Sequence, residues 1–283
     1  MKKKIARSIR PKIHSVRQVM LGSIRRVLNR AGVELTRYEG DLEAAKIRNI
    51  FRGLTELAKM ERAIAPSEEV KFLIFARRHL HLSKSQILQD LFVLNELGEK
   101  EDGYFVEFGA TNGIDSSNSY MLEKFYKWNG ILAEPGRVWH ERLRENRRCK
   151  IDHRCIWSQT GQNLEFNQAN EPELSTINAY SGADRYRQYR EEGSKYYVET
   201  ISLNDLLRTH GAPREIDYMS IDTEGSEYQI LSAFDFEKYH IKIITCEHNY
   251  TDAREKLFSL LSAKGYVRKF QEFSEVDDWY VKI

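Results

Sequence analysis

Ile216-Asp217-Tyr218-Met219-Ser220-Ile221-Asp222-Thr223-Glu224-Gly225-Ser226-Glu227 ends a largely apolar run in three carboxylates and a glycine. Holding Asp222, Glu224 and Glu227 together costs several kcal/mol of desolvation and repulsion unless they share a proton, a cation or a donor-rich ligand. Acids so placed can take a proton from a weakly acidic hydroxyl, or lower its pKa through a bound ion. The same acids suit the start of a helix, whose dipole favours negative charge, and Glu227 fits that role best. Cys246-Glu247-His248-Asn249 closes a second apolar run. It adds an acid, and an imidazole that is either a proton carrier or a satisfied structural residue.

A different chemistry is written between Tyr104 and Gly113. There Glu107-Phe108-Gly109-Ala110-Thr111-Asn112-Gly113 follows a short apolar run. Glycines at such a turn permit close backbone approach, and a helix start behind it offers free N–H groups. The dinucleotide fingerprint G-x-G-x-x-G is absent, and a purely structural turn remains an alternative. Gly130-Ile131-Leu132-Ala133-Glu134-Pro135 ends in a carboxylate that can accept two ribose hydroxyls, at the strand end where open α/β sheets bind ligands. A nicotinamide enzyme would carry such an acid as well.

Both pairs of features need strands to aim them. From Asp102-Gly103 onward, short β-rich runs alternate with helical segments, the pattern of a parallel sheet with crossover helices. The expected strands are Tyr104–Phe108, Gly130–Ala133, one within Cys149–Trp157, Tyr218–Ile221 and Ile241–Cys246. Gly265–Phe270 and Trp279–Ile283 are expected to pair as antiparallel strands. Upstream, residues 41–65 and 67–82 read as helices parted near Pro66. Ser83-Lys84-Ser85-Gln86 reads as the cap of a helix running through Leu97.

The 283 residues carry a net charge of +2, but residues 1–30 hold ten Lys or Arg and no Asp or Glu. The remaining chain is therefore acidic, a poor match for phosphate backbones, and no nucleic-acid partner is expected. Within this arm Ile5, Ile9, Ile13, Val16, Met20, Ile24 and Val27 fall on one helical face, with Pro11 breaking or starting the helix. Such a face packs on the body or a partner subunit, or lies on an anionic membrane surface. No apolar run reaches the ~18–20 residues of a membrane span, and the three cysteines form no CxxC pair. A cytoplasmic protein, peripheral at most to the inner face of the membrane, is expected.

These blocks, in this order, resemble the FkbM-type family of S-adenosylmethionine-dependent methyltransferases. The resemblance runs from Ser85-Gln86 and Gln89-Asp90 through Phe105–Ala110, Ser117-Asn118-Ser119-Tyr120 and Glu134-Pro135. It resumes at Thr200–Leu207, Ile221–Glu227 and Thr245–Asn249. It implies a class I (Rossmann-like) α/β fold, with a seven-stranded, mostly parallel sheet whose last strand is reversed. Residues 83–283 would form the methyltransferase domain, preceded by a basic and then α-helical extension over residues 1–82. It implies cofactor contacts from Glu107, Gly109, Ala110, Thr111, Asn112, Gly113, Asn118, Glu134, Pro135 and, after the third strand, Ser158. Relatives often carry an acid at that last place, where this chain has Ile156-Trp157-Ser158.

The implied reaction is O-methylation of a hydroxyl on a sugar, in a glycan, glycolipid or related natural product. A sugar hydroxyl is a weak acid, so a base or a cation is needed. In one expectation Asp222 or His248 takes the proton, and Glu224 and Glu247 orient the acceptor. In the other, Asp222, Glu247 and His248 bind a divalent ion such as Mg or Mn. The long segment from Phe166 to Glu199 suggests an acceptor lid, with Arg185, Tyr186 and Tyr189, together with Glu227, as acceptor contacts. An exposed helix over 183–192 with core-facing tyrosines is equally compatible. Two other classes fit the residues: a nicotinamide-dependent oxidoreductase, and a non-catalytic scaffold on a methyltransferase fold.

Overall fold

In a computed structural model of the protein, residues 42–62 and 66–283 are described. The amphipathic helix expected within residues 1–30 lies outside them. The chain divides into two compact units, Met1–Ile64 and Ala65–Ile283. The first contributes one described helix, α1 (Leu42–Glu61).

The second unit begins with α2 (Glu68–His79). Ser67 caps it by accepting the Val70 N–H, and acids in the first turn with bases in the last suit its dipole. Phe72 and Ala76 of α2 are buried in one core with Leu91, Phe92, Phe270 and Trp279. The helix therefore packs within the compact unit that begins at Ala65, ahead of residue 83. The serines before α3 (Gln89–Glu96) also behave differently from expectation. Leu88 enters the helix with a left-handed φ of 71° and no side-chain cap. Ser83 and Ser85 instead donate to the Asp90 carboxylate at 2.7 and 2.6 Å. Asp90 is fully buried, and a buried carboxyl needs donors more than a helix end does.

From there the chain runs β1 (Tyr104–Phe108), α4 (Tyr120–Tyr126), β2 (Asn129–Ala133), α5 (His140–Asn146), β3 (Lys150–Asp152), β4 (Cys155–Trp157), β5 (Asn163–Gln168) and β6 (Thr176–Ile177). It continues through α6 (Arg187–Arg190), β7 (Ser194–Ser202), α7 (Leu203–Thr209), β8 (Glu215–Ile221), α8 (Glu227–Ser232), β9 (His240–Glu247), α9 (Ala253–Ala263), β10 (Tyr266–Lys269) and β11 (Asp277–Lys282).

Seven strands form the main sheet in the order β10-β11-β9-β8-β1-β2-β3. β3, β2, β1, β8 and β9 pair in parallel, while β11 runs antiparallel to both β9 and β10. This is the expected sheet with its reversed last strand. Alternation assigns the faces: Val106 and Phe108 join Leu206, Leu207 and Leu257 on one side. Phe105 and Tyr218 join Leu91, Phe92 and Trp279 on the other. Covered on both faces, these strands read as largely apolar runs.

The connection after β3 forms a second sheet, in the order β4-β7-β5-β6. The region expected to hold one third strand thus splits, with Lys150–Asp152 in the main sheet and Cys155–Trp157 in the second. Parts of the expected lid, residues 166–168, 176–177 and 194–199, are strands of this sheet, which closes around Cys155, Phe166, Ile177 and Val198. The helix expected over 183–192 is reduced to the single turn of α6. Among the described residues, no helix is long and apolar enough to cross a membrane.

Candidate active site

A cavity of about 430 Å³ opens at the carboxyl ends of β1, β2, β8 and β9, with the second sheet as its far wall. Gly109, Thr111, Glu134 and Pro135 line one side, Asp222, Glu224 and Glu247 another, and Arg185 and Tyr186 line it from the connection between β6 and β7.

The glycine turn is built by close packing. Gly109 has a φ of 73°, and a Cβ there would overlap the Asp222 carbonyl oxygen, so the ends of β1 and β8 can touch only through glycine. Glu134 stitches the end of β2 to this turn. Its Oε2 accepts the Thr111 N–H at 2.8 Å and its Oε1 the Gly136 N–H at 2.6 Å. Burial pushes its carboxyl up to about 7 against the pull of these two donors.

Other residues expected at the cofactor support this turn from behind. Glu107 does not line the cavity: it accepts the Asn118 N–H at 2.6 Å and the hydroxyls of Ser117 and Ser119, with Arg147 Nη1 at 3.7 Å. Asn112 closes its own turn, accepting from Ile114 and Asp115 N–H groups and donating to the Asp115 carboxylate at 2.7 Å. Gly113, with a φ of 80°, leaves room for Arg147 and Leu143. Ala110 is buried in the apolar core, and Asn118 donates to Ser220 Oγ at 2.9 Å. Ser158 lies beyond β4 and off the cavity wall, because the third strand of the main sheet ends earlier, at Asp152. That carboxylate is paired with Arg154 at 2.6 Å and His210 at 2.8 Å, also away from the cavity.

Across the cavity, Asp222, Glu224 and Glu247 offer oxygens that all lie within 4.8 Å of one another. Burial, then the charge of Glu227, pushes Asp222 up to about 7, although Glu247 hydrogen-bonds to it. Burial and the Asp222 charge raise Glu247 well above the usual carboxylate range. The same two causes push Glu224 up to about 9, although Arg190 donates to it at 2.7 Å. These three acids, of which only Glu224 meets a guanidinium, thus keep a proton among them near neutral pH.

Two expected members are not part of this group. Glu227 braces the loop after β8, its Oε1 accepting the N–H groups of Thr223 and Gly225, both at 3.0 Å, and the Thr223 hydroxyl at 2.9 Å. His248 follows Glu247 and turns to the opposite side. Its Nδ1 accepts the Tyr250 N–H at 3.0 Å, and its Nε2 lies 3.7 Å from Asp278. Asp278 is itself held by Arg254 and Arg268, and burial lowers the imidazole's pKa. Among the described residues, Glu224 and not His248 therefore joins Asp222 and Glu247 in the group that could surround a cation.

The second sheet supplies what the sequence did not single out. Arg190, only 1% exposed, donates to both Asp184 oxygens at 2.9 Å, to the Leu174 carbonyl at 2.6 Å and to Glu224. Thr176 Oγ1 adds a bond to the Glu224 carbonyl at 2.9 Å. Arg185 Nη2 donates to Tyr186 Oη at 2.7 Å at the cavity wall, whereas Tyr189 is 39% exposed and lines none of it. Phe166, Leu174, Ser175 and Ile177 line the wall without any motif to announce them.

The strand order, the glycine turn and the acid after the second strand define a class I methyltransferase fold. The sequence matches the family described as the methyltransferase FkbM domain over residues 107–280, more than half of the chain, and the chain belongs to that family. A comparison with the curated proteins returns no match. Among solved structures, the precorrin-6y C5,15-methyltransferase of Geobacter metallireducens is similar at 12% identity and a TM-score of 0.36, over 68% of this chain and 85% of that one. The METTL16 methyltransferase domain is similar at 10% identity and a TM-score of 0.36, over 68% of this chain and 64% of that one.

Proposed function

We propose that this methyltransferase uses S-adenosylmethionine to methylate a hydroxyl of a sugar, in a glycan, glycolipid or related natural product. One observation carries the reading: a single cavity sets the Thr111–Glu134 turn opposite the Asp222–Glu224–Glu247 acids. Among its described lining residues only Arg185 is cationic, so the site suits a cationic sulfonium better than the two phosphates of a nicotinamide dinucleotide. Gly109, Thr111, Glu134 and Pro135 are the residues that would hold the cofactor, which when bound supplies an electrophilic methyl group. Asp222 is placed to accept the acceptor's proton as its oxygen attacks, because burial holds its pKa near neutrality. Glu247 shares that proton, and Glu224, pinned by Arg190, orients the acceptor. Three unpaired cysteines suit the reducing cytoplasm.

Calorimetry with S-adenosylmethionine, its demethylated product and NAD tests the cofactor side, and only the first two are expected to bind. Transfer of labelled methyl to cell-surface glycan extracts tests the acceptor side. Binding without transfer to any extract would favour the non-catalytic scaffold. A second reading follows from the 4.8 Å grouping: a divalent ion takes the place of the shared proton and lowers the hydroxyl pKa. Full activity after EDTA treatment, in protein free of metal, rules that reading out.

A further inference from the structure

We propose that α1 docks this protein on an anionic lipid bilayer, laying its apolar stripe into the headgroup–acyl boundary. Ile47, Ile50, Phe51 and Leu54 follow the three- and four-residue spacing of one helical face. All four are exposed, Ile50 by 63% and Phe51 by 72%. Large apolar side chains in such a row are costly to leave in water and mark an interaction surface. Lys46 flanks the stripe on one side, and Arg48, Arg52 and Lys59 flank it on the other, where long basic stems reach lipid headgroups.

Charge selects the occupant. Residues 1–64 carry 16 Lys or Arg against 6 Asp or Glu, whereas residues 65–283 carry 28 against 36. A negative bilayer therefore attracts the first unit and repels the acidic body. Pairing of two copies through the same stripe would bring two strongly basic units together, and that repulsion disfavours a dimer. A single weak membrane signal gives only marginal, reversible binding, and the ten basic residues of positions 1–30 supply the second signal that stable anchoring takes. None of these observations involves the cavity, so the inference stands apart from the proposed reaction.

The test is flotation of the full chain with phosphatidylcholine vesicles, with and without phosphatidylglycerol, alongside the double variant Ile50→Ser, Phe51→Ser. The wild type is expected to float with phosphatidylglycerol vesicles and to be released by salt. The variant should partition at least about tenfold less, since it loses two large apolar side chains from the interface. Cofactor titration and thermal unfolding of the variant, both expected to match wild type, show that its body is folded. Three results overturn the proposal. The wild type may fail to float, or the variant may float equally well. Alternatively, the wild type sediments as a dimer that the variant dissociates, with no difference on vesicles.

Discussion

Arg190 and Glu224 meet at 2.7 Å across the junction between the second sheet and the loop after β8. The guanidinium also grips Asp184, and all three side chains are almost fully buried. One cation thus serves two carboxylates and ties the cavity's far wall to its acid cluster. Arg190→Met leaves both acids buried without their cation, with only the Tyr186 N–H on Asp184 and the Asn249 amide on Glu224, and is expected to lower stability by ~3–5 kcal/mol. Chemical denaturation measures this, and Arg190→Lys should recover part of it. Stability unchanged in the methionine variant would show that the pair contributes nothing net.

Gly109 and Asp222 share a contact of a different kind. With φ at 73° and the Asp222 carbonyl against its Cα, Gly109 leaves no space for a methyl group. Gly109→Ala is expected to displace the loop that carries Asp222 and to cut transfer at least about a hundredfold. Calorimetry should show weaker cofactor binding in a variant that still unfolds cooperatively.

The pH dependence of activity and that of stability should run in opposite directions. Burial raises Glu134 and Asp222 to about 7 and Asp277 to about 8 in the folded protein. The folded state then holds more protons than the unfolded chain between about pH 4 and pH 8. Stability is fully present below that window and falls as pH rises through it. Urea denaturation of the ligand-free protein near pH 5 and pH 8 checks the sign.

Activity, by contrast, needs ionised Asp222 and should rise through pH about 7. Asp222→Asn is expected to lose that rising limb and to slow transfer by roughly 10²–10⁴. A limb that persists in the variant would place the base elsewhere.

Tyr186 and Tyr189 separate the cavity wall from its outer surface. Tyr186→Ala is expected to raise the acceptor KM several-fold with cofactor affinity intact, because Tyr186 lines the cavity. Tyr189→Ala, at an exposed position outside the lining, should leave both nearly unchanged. Equal effects of the two would mean that the acceptor lies over the outer surface.

Most strands of the main sheet were legible in the sequence, and the resemblance implied their number and the reversed last one; the structure supplied their order. Two-sided burial makes β1, β2, β8 and β9 largely apolar runs, and each ends in a glycine or acid where the chain must turn. The second sheet was not legible. Its strands β5 and β7 carry polar and aromatic residues and have one buried side, so their alternation resembles that of a tyrosine-rich lid. Pairing partners far apart in sequence, such as Asn163 with Glu199, leave no local mark.

At the site the same division holds for single residues. Residue type and spacing singled out Gly109, Glu134, Asp222, Glu224 and Glu247, which strand ends bring to the wall of one cavity. Which way each side chain points was decided by its competing partners. Glu107 was drawn to Ser117, Asn118 and Ser119, Glu227 to the Thr223 and Gly225 amides, and His248 to the Tyr250 amide. Buried polar atoms take the nearest good donor or acceptor, and the tertiary fold alone determines which that is. The sequence determined the sheet and the chemistry gathered at its edge, and the tertiary structure decided which acids face the cavity.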